Sequence, residues 1–207
     1  MARKSLELRR EEILAEAARQ LQRHGPAALR AADVAGALGV STALIFYHFD
    51  TKERLLAETF GFSAQRDLDR LDAVLAGPGT ALERLWAVLD LYAPTGDASG
   101  WVLWIDGWSA AQRDDALRAV VGRLDRRWKR AIASLVREVA SGGGVDAGAA
   151  ATRITALLDG LAVQRVVRRE ALGAARVRQW VRAFVAGELG LPPDAILTHQ
   201  SVRKGIE

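Results

Sequence analysis

The chain has 207 residues, 29 Lys and Arg against 25 Asp and Glu, and half of its residues are apolar. That length can bury a sizeable core as one compact domain or as a small head on a larger body. The richness in Ala, Leu, Arg and Glu, with few strand-favouring residues, predicts an all-α protein. The lack of cysteine excludes disulfides, thiolate metal sites and cysteine nucleophiles. The first residues hold no signal-peptide core and no run approaches about 18 apolar residues, so a cytoplasmic protein with no membrane span is expected. The net charge of +4 is small, and only two of those surplus charges fall in the first 56 residues, so charge alone does not locate a nucleic-acid site.

The spacing of Ile13, Leu14, Ala17, Ala18 and Leu21 predicts a first helix from about Leu8 to His24, ended by Gly25-Pro26. Arg3, Lys4, Arg9 and Arg10 precede or open it, where a basic arm can reach phosphates or the minor groove, or simply fray in solvent. A second helix is expected from about Arg30 to Leu38, with Gly39 placed to end it in the left-handed region. Ser41 can cap a third short helix reaching Phe49, with Val40 and Ile45 pointing back at the second. Ala35 is small enough to let the two backbones approach, so Ala-x3-Gly-Val-x4-Ile reads as a helix-turn-helix.

The run G-V-S-T-A-L-I-F-Y-H-F-D-T-K-E-R-L-L, from Gly39 to Leu56, resembles the turn, recognition helix and fourth-helix entry of the tetracycline-repressor (TetR) family of bacterial transcription regulators. With Ile45 and Phe49 facing the head's core, Thr42, Ala43, Leu44, Tyr47 and His48 are left to face DNA behind the Ser41 cap. Thr42 can donate or accept at a base edge, Ala43 and Leu44 can pack on a thymine methyl, and Tyr47 and His48 suit phosphates. The resemblance implies a Tyr where Phe46 stands, touching the DNA backbone through its hydroxyl; Phe46 has none, which leaves that contact to Tyr47. It implies a capping Ser or Thr where Arg30 stands; arginine cannot cap, but it can reach a phosphate. Lys52 matches the family's phosphate-anchoring lysine at the start of the fourth helix.

Asp50-x-x-Glu53 has capping-box spacing, or Thr51 caps alone, opening a helix from about Lys52 to Ala76 with Leu55, Leu56, Phe60, Phe62, Leu68, Leu71, Val74 and Leu75 as its apolar stripe. Gly77-Pro78-Gly79 breaks it, a fifth helix runs from about Thr80 to Tyr92, and Ala93 to Gly100 is a loop. In W-V-L-W-I-D-G-W, Trp101, Trp104, Ile105 and Trp108 form one helical stripe. Together with Trp86, Leu89 and Trp128 they form either plain core or the lining of a pocket for a small hydrophobic or aromatic effector. Asp90 and Asp106 stand near these rings in sequence and suggest a cationic ligand held by cation–π contact, although Asp106 lies on the side of its helix away from the Trp stripe. A seventh helix spans about Asp114 to Ala140, its Arg123, Arg126, Arg127, Lys129 and Arg130 forming a charged face paired with Asp114, Asp115 and Asp125.

Two last helices are expected from about Ala147 to Arg169 and Ala174 to Leu189, followed by a loosely ordered tail from Leu191. They offer more apolar surface than one partner covers, so Leu157, Leu161, Val177, Trp180, Val181 and Phe184 are expected in a four-helix bundle with a second copy. Dimerisation through the last two helices is also what the resemblance implies. The expected architecture is about nine helices, with residues 1–51 as a DNA-binding head and 52–207 as a ligand-binding and dimerisation body. The expected function is a regulator, foremost a repressor, that binds a near-palindromic operator in double-stranded DNA as a homodimer and is released by a small molecule. An enzyme fits badly, with three histidines, no Gly-rich phosphate loop, no paired acids on an apolar face and no sign of a cofactor or metal site. A helical carrier of a hydrophobic ligand that does not bind DNA is the other reading.

Overall fold

A computed structural model describes residues 6–96, 99–168 and 172–192. Arg3, Lys4, Arg169, the middle of the loop expected over 93–100 and the tail beyond Pro192 lie outside the described residues. The described residues are helical apart from turns: α1 Leu6–His24, α2 Ala31–Leu38, α3 Thr42–Phe49, α4 Lys52–Leu75, α5 Ala81–Tyr92, α6 Ser99–Ala111, α7 Asp115–Val139, α8 Ala147–Val166 and α9 Ala174–Leu189. None of these helices alone is long and apolar enough to cross a membrane. The chain divides into two compact units, one of residues 1–68 with 102–125 and one of 69–101 with 126–207.

In the first unit, α1 stops where Gly25 takes φ 76°, and Pro26–Ala28 add a single 3-10 turn. Gly39 takes φ 64°, a conformation cheap only without a Cβ, and the next amide, of Val40, donates to the Ala35 carbonyl at 3.0 Å. The chain then turns by 116° into α3. Ser41 caps α3, its hydroxyl accepting from the Leu44 amide at 3.2 Å. At the other end of α3, Asp50 holds φ 60°, and Thr51 rather than Asp50 caps α4, its hydroxyl accepting from the Arg54 amide at 3.1 Å. The Asp50 carboxylate is occupied by the Arg54 guanidinium at 2.5 Å.

Ile13, Leu21, Val34, Ile45, Phe49 and Phe60 are fully buried in one core with Leu117 of α7, each such side chain contributing roughly 1.5–3 kcal/mol of transfer free energy. Gly107 of α6 is a requirement of that core: a Cβ there would lie 2.3 Å from Cε2 of Phe60. Trp104 meets Phe60 edge-on, with ring centroids 5.3 Å apart. Phe62, placed on the apolar stripe of α4 by sequence, is 41% exposed. Two positions on a helix are 200° of rotation, so with Phe60 in the core Phe62 is turned out.

In the second unit, Thr80 and Glu83 form a reciprocal capping box at the start of α5, with bonds of 3.2 and 2.7 Å. Asp146 caps α8 by accepting from the Gly148 and Ala149 amides, both at 3.0 Å. Leu85, Val88, Ile132, Val136, Ile154, Leu158, Val177 and Val185 are fully buried. Arg153 of α8 grips Glu188 of α9 through two nitrogens, Nε at 2.9 Å and Nη2 at 2.5 Å, and that grip holds the Glu188 carboxyl below its usual range. The α7 arginines pair across elements as well as along their own helix: Arg127 meets Asp72 of α4, whereas Arg118 meets Asp115 at 2.7 Å.

Candidate nucleic-acid interface and aromatic cluster

The short helix α3 presents two faces of different chemistry because its period places Ile45 and Phe49 inward together. Of the α3 side chains that the sequence assigns to DNA and the Ser41 cap, Ser41, Thr42, Ala43, Phe46 and Tyr47 are exposed, while Leu44 and His48 are half-buried. Tyr47 is 68% exposed. Arg30, at the start of α2, is exposed and makes no capping bond, and Lys52 opens α4 with its side chain in solvent. A lysine there stands beside amides that no helix carbonyl satisfies, an arrangement suited to phosphate.

His48 packs its ring edge-on to Tyr47 at 5.4 Å, and its Nε2 is buried without a hydrogen-bond partner among the described residues. Burial, and then the nearby charges of Arg10 and Arg9, keep its pKa below the ordinary 6.5. Arg9 and Arg10 are not the loose arm expected from sequence. Both lie inside α1, as its expected start near Leu8 requires, and both are committed: Arg9 pairs with Glu12 at 2.9 Å, and Arg10 pairs with Glu58 while its guanidinium lies 5.1 Å from the Phe49 ring centre.

The aromatic residues assigned to an effector pocket fall into both units. Trp104 and Trp108, at 6.2 Å, belong to the first with the half-buried Ile105. In the second, Tyr92 gathers two of them: its ring lies 5.5 Å from Trp101 and 5.0 Å from Trp128, each roughly edge-on. The Tyr92 hydroxyl donates to the Asp159 carboxylate at 2.9 Å. Trp86 and Leu89 are buried, and Trp86 already carries a cation: the Arg182 guanidinium lies 5.7 Å over its ring and 3.8 Å from Asp90. The sequence pattern places Tyr92 only as the end of the fifth helix and gives Asp159 no role. Tyr92 sits three residues after Leu89 and seven after Leu85, so helical spacing could have found it; nothing in the sequence joins it to a residue 67 positions on.

Of the residues assigned to a dimer face, Leu161, Val177 and Val181 are buried within the chain itself. Leu157 and Phe184 are half-buried, and Trp180 is 44% exposed. Gly160 of α8 and Gly187 of α9 have open space where a Cβ would stand.

With this geometry in view, known proteins place the chain. Residues 13–59 match the family described as bacterial regulatory proteins, tetR family, and residues 81–190 match the C-terminal region of BetI-type transcriptional repressors. The chain is 30% identical over 204 residues to the HTH-type transcriptional regulator BetI of Agrobacterium fabrum, covering 95% of each. A transcriptional regulator from Saccharomonospora viridis, solved in complex with choline, superposes with a TM-score of 0.76 at 30% identity, over 86% of this chain and 96% of that one. A TetR regulator from Haloarcula marismortui shares the fold with a TM-score of 0.78 at 23% identity, over 88% and 99% of the two chains. The bent helix pair with its outward α3 face, and the helical remainder of the chain, thus have the same relatives: the protein belongs to the TetR family of helix-turn-helix transcriptional regulators, with a C-terminal region of the BetI type.

Proposed function

We propose that this regulator acts as a homodimeric repressor whose release signal is a small quaternary or tertiary ammonium compound of the choline class. Of the effectors expected from sequence, hydrophobic, aromatic or cationic, a cation is favoured, with Asp159 rather than Asp90 or Asp106 as its anion. The observation that carries it is the trio Tyr92, Trp101 and Trp128 beside the Asp159 carboxylate. A tetraalkylammonium ion is apolar at its surface and charged within, so it favours ring faces in a partly desolvated place with an anion close by. The choline bound by the Saccharomonospora regulator supports the same class of ligand. Residues 1–51 are the DNA-binding head in this reading, with Arg30, Thr42, Ala43, Leu44, Tyr47, His48 and Lys52 contacting operator DNA in the cytoplasm, and 52–207 form the sensing and dimerising body.

A dimer is required by register, since two α3 helices must enter major grooves about 34–36 Å apart. Trp180, Phe184 and Leu157, with the open sites at Gly160 and Gly187, supply an apolar face on α8 and α9 where a second copy can pack closely. The effector acts only through its different affinity for DNA-bound and free arrangements.

The test is a fluorescence-anisotropy titration of the full chain on the DNA upstream of its own gene. Choline should release the DNA, and the neutral isostere 3,3-dimethylbutan-1-ol at the same concentration should not. Equal release by both, or none by choline with DNA bound normally, refutes a cation site.

A further inference from the structure

The second unit carries a feature that neither DNA reading nor amine sensing uses. A groove of about 270 Å3 is lined by Leu75 at the end of α4, Arg84 of α5, and one face of α7 from Arg127 to Glu138. The α7 contributions recur at positions 127, 130, 131, 134, 135 and 138, the spacing of a single helical face. Leu75, Ala131 and Leu135 give it an apolar floor, while three guanidinium groups and the Ser134 hydroxyl stand around it against one carboxylate, Glu138.

The three arginines are not equally engaged. Arg127 is paired with Asp72, and Arg84 Nη2 donates to Glu138 at 2.8 Å. Arg130 donates only its Nε, at 3.0 Å to the Arg126 carbonyl one turn earlier, leaving its two terminal nitrogens without an acceptor among the described residues. Arg84 Nε is buried and also lacks a partner, a state a folded protein normally avoids. The rim therefore holds one uncompensated positive charge, a fork of free donors and an unmatched donor beside them.

We propose that this groove binds an amphipathic monocarboxylate, an anion with a short hydrocarbon or aromatic tail. The carboxylate would take the planar fork of Arg130 together with the Ser134 hydroxyl, and a small turn of the Arg84 head would let its Nε join. The tail would cover Leu75, Ala131 and Leu135. A single surplus guanidinium beside Glu138 matches one negative charge and disfavours a phosphate dianion, and the apolar floor rewards a tail that inorganic ions lack. The site is independent of the aromatic trio around Tyr92, so its success or failure does not depend on the choline reading.

The experiment is isothermal titration calorimetry on the full-length protein with sodium octanoate, with sodium acetate, sodium phosphate and octan-1-ol as comparisons at fixed ionic strength. Octanoate should bind saturably, and acetate, phosphate and octanol at least tenfold more weakly. Arg130→Gln should weaken octanoate about tenfold or more, with Arg130→Lys intermediate because a point charge replaces the fork. Ser134→Ala, a milder change at an exposed position, should weaken it severalfold and serves if Arg130→Gln does not fold. Octanol or phosphate binding as tightly as octanoate, or unaltered octanoate affinity in Ser134→Ala and in folded Arg130→Gln, overturns the proposal.

Discussion

Tyr92, the last residue of α5, donates its hydroxyl hydrogen to Asp159 of α8 at 2.9 Å, and so fixes the plane of the ring against which Trp101 and Trp128 pack. Tyr92→Phe keeps the ring and removes that restraint. It should lower stability by about 1 kcal/mol, or about 2–4 °C of melting temperature in a chain of this size, and weaken choline binding severalfold by freeing ring and carboxylate. Differential scanning calorimetry with and without choline separates the two effects; a melting loss with choline affinity intact would leave Tyr92 a purely structural residue.

The outer face of α3 and the lysine that opens α4 should fail differently when altered. Lys52→Ala removes a phosphate partner without base information, so affinity should fall on every DNA sequence, and the slope of log affinity against log salt should drop by about 1 per half-site. Thr42→Ala should leave the salt slope alone and relax base preference at one position. Titrations of both variants over a salt series on operator and scrambled DNA decide the matter, and an altered preference in Lys52→Ala would reverse the assignments.

Protonation of His48 ought to be coupled both to folding and to DNA. Burial and the charges of Arg10 and Arg9 depress its pKa in the folded chain. The unfolded chain therefore binds the proton more readily, so this contribution to stability is complete above the ordinary value of 6.5 and is lost as pH falls from there through the lower folded value. A phosphate beside the ring would favour the charged form, so DNA binding should take up a proton and tighten between pH 7.5 and 5.5 relative to His48→Gln. Calorimetry of DNA binding in two buffers of different ionisation enthalpy reads the uptake directly; identical heats after buffer correction would remove His48 from the phosphate contacts.

Two glycines in helices should respond oppositely to the same added methyl. Gly107→Ala drives a Cβ to 2.3 Å from Phe60 Cε2 in a filled core, an overpacking expected to cost about 1–3 kcal/mol or more. Gly36→Ala adds its methyl to an exposed helical position with nothing within 4 Å and should stabilise by about 0.5–1 kcal/mol. Thermal melts of the two variants check the pair.

Helix positions were legible in the sequence because the local signals agree with the fold. The apolar period, Gly39 and Ser41 place α2 and α3 to within a residue, and Lys52, Ala147 and Leu189 bound their helices as expected. The inward turn of Ile45 and Phe49, and with it the exposed set on α3, follows from the same period. The partners chosen across the fold were not legible. Asp50 has the right spacing to cap α4, yet its carboxylate goes to Arg54 and Thr51 caps instead, a choice between two adjacent acceptors that composition does not settle. Val177 and Val181 look identical in sequence whether they face the chain's own core or a second copy, since both environments ask for the same apolar residue. Tyr92 with Asp159, and Arg84 with Glu138, are meetings made by topology alone.

Three arginines of the first unit bring their own counterions. Arg10 is matched by Glu58, Arg54 by Asp50 and Glu58, and Arg9 by Glu12. In the proposed complex a duplex of arbitrary sequence would release its condensed sodium or potassium chiefly to Arg30 and Lys52, so it would be held briefly and let go. On that proposal such a protein would spend less of its time trapped on the wrong stretch of chromosome, its choice of address left to the handful of side chains between Ser41 and Lys52.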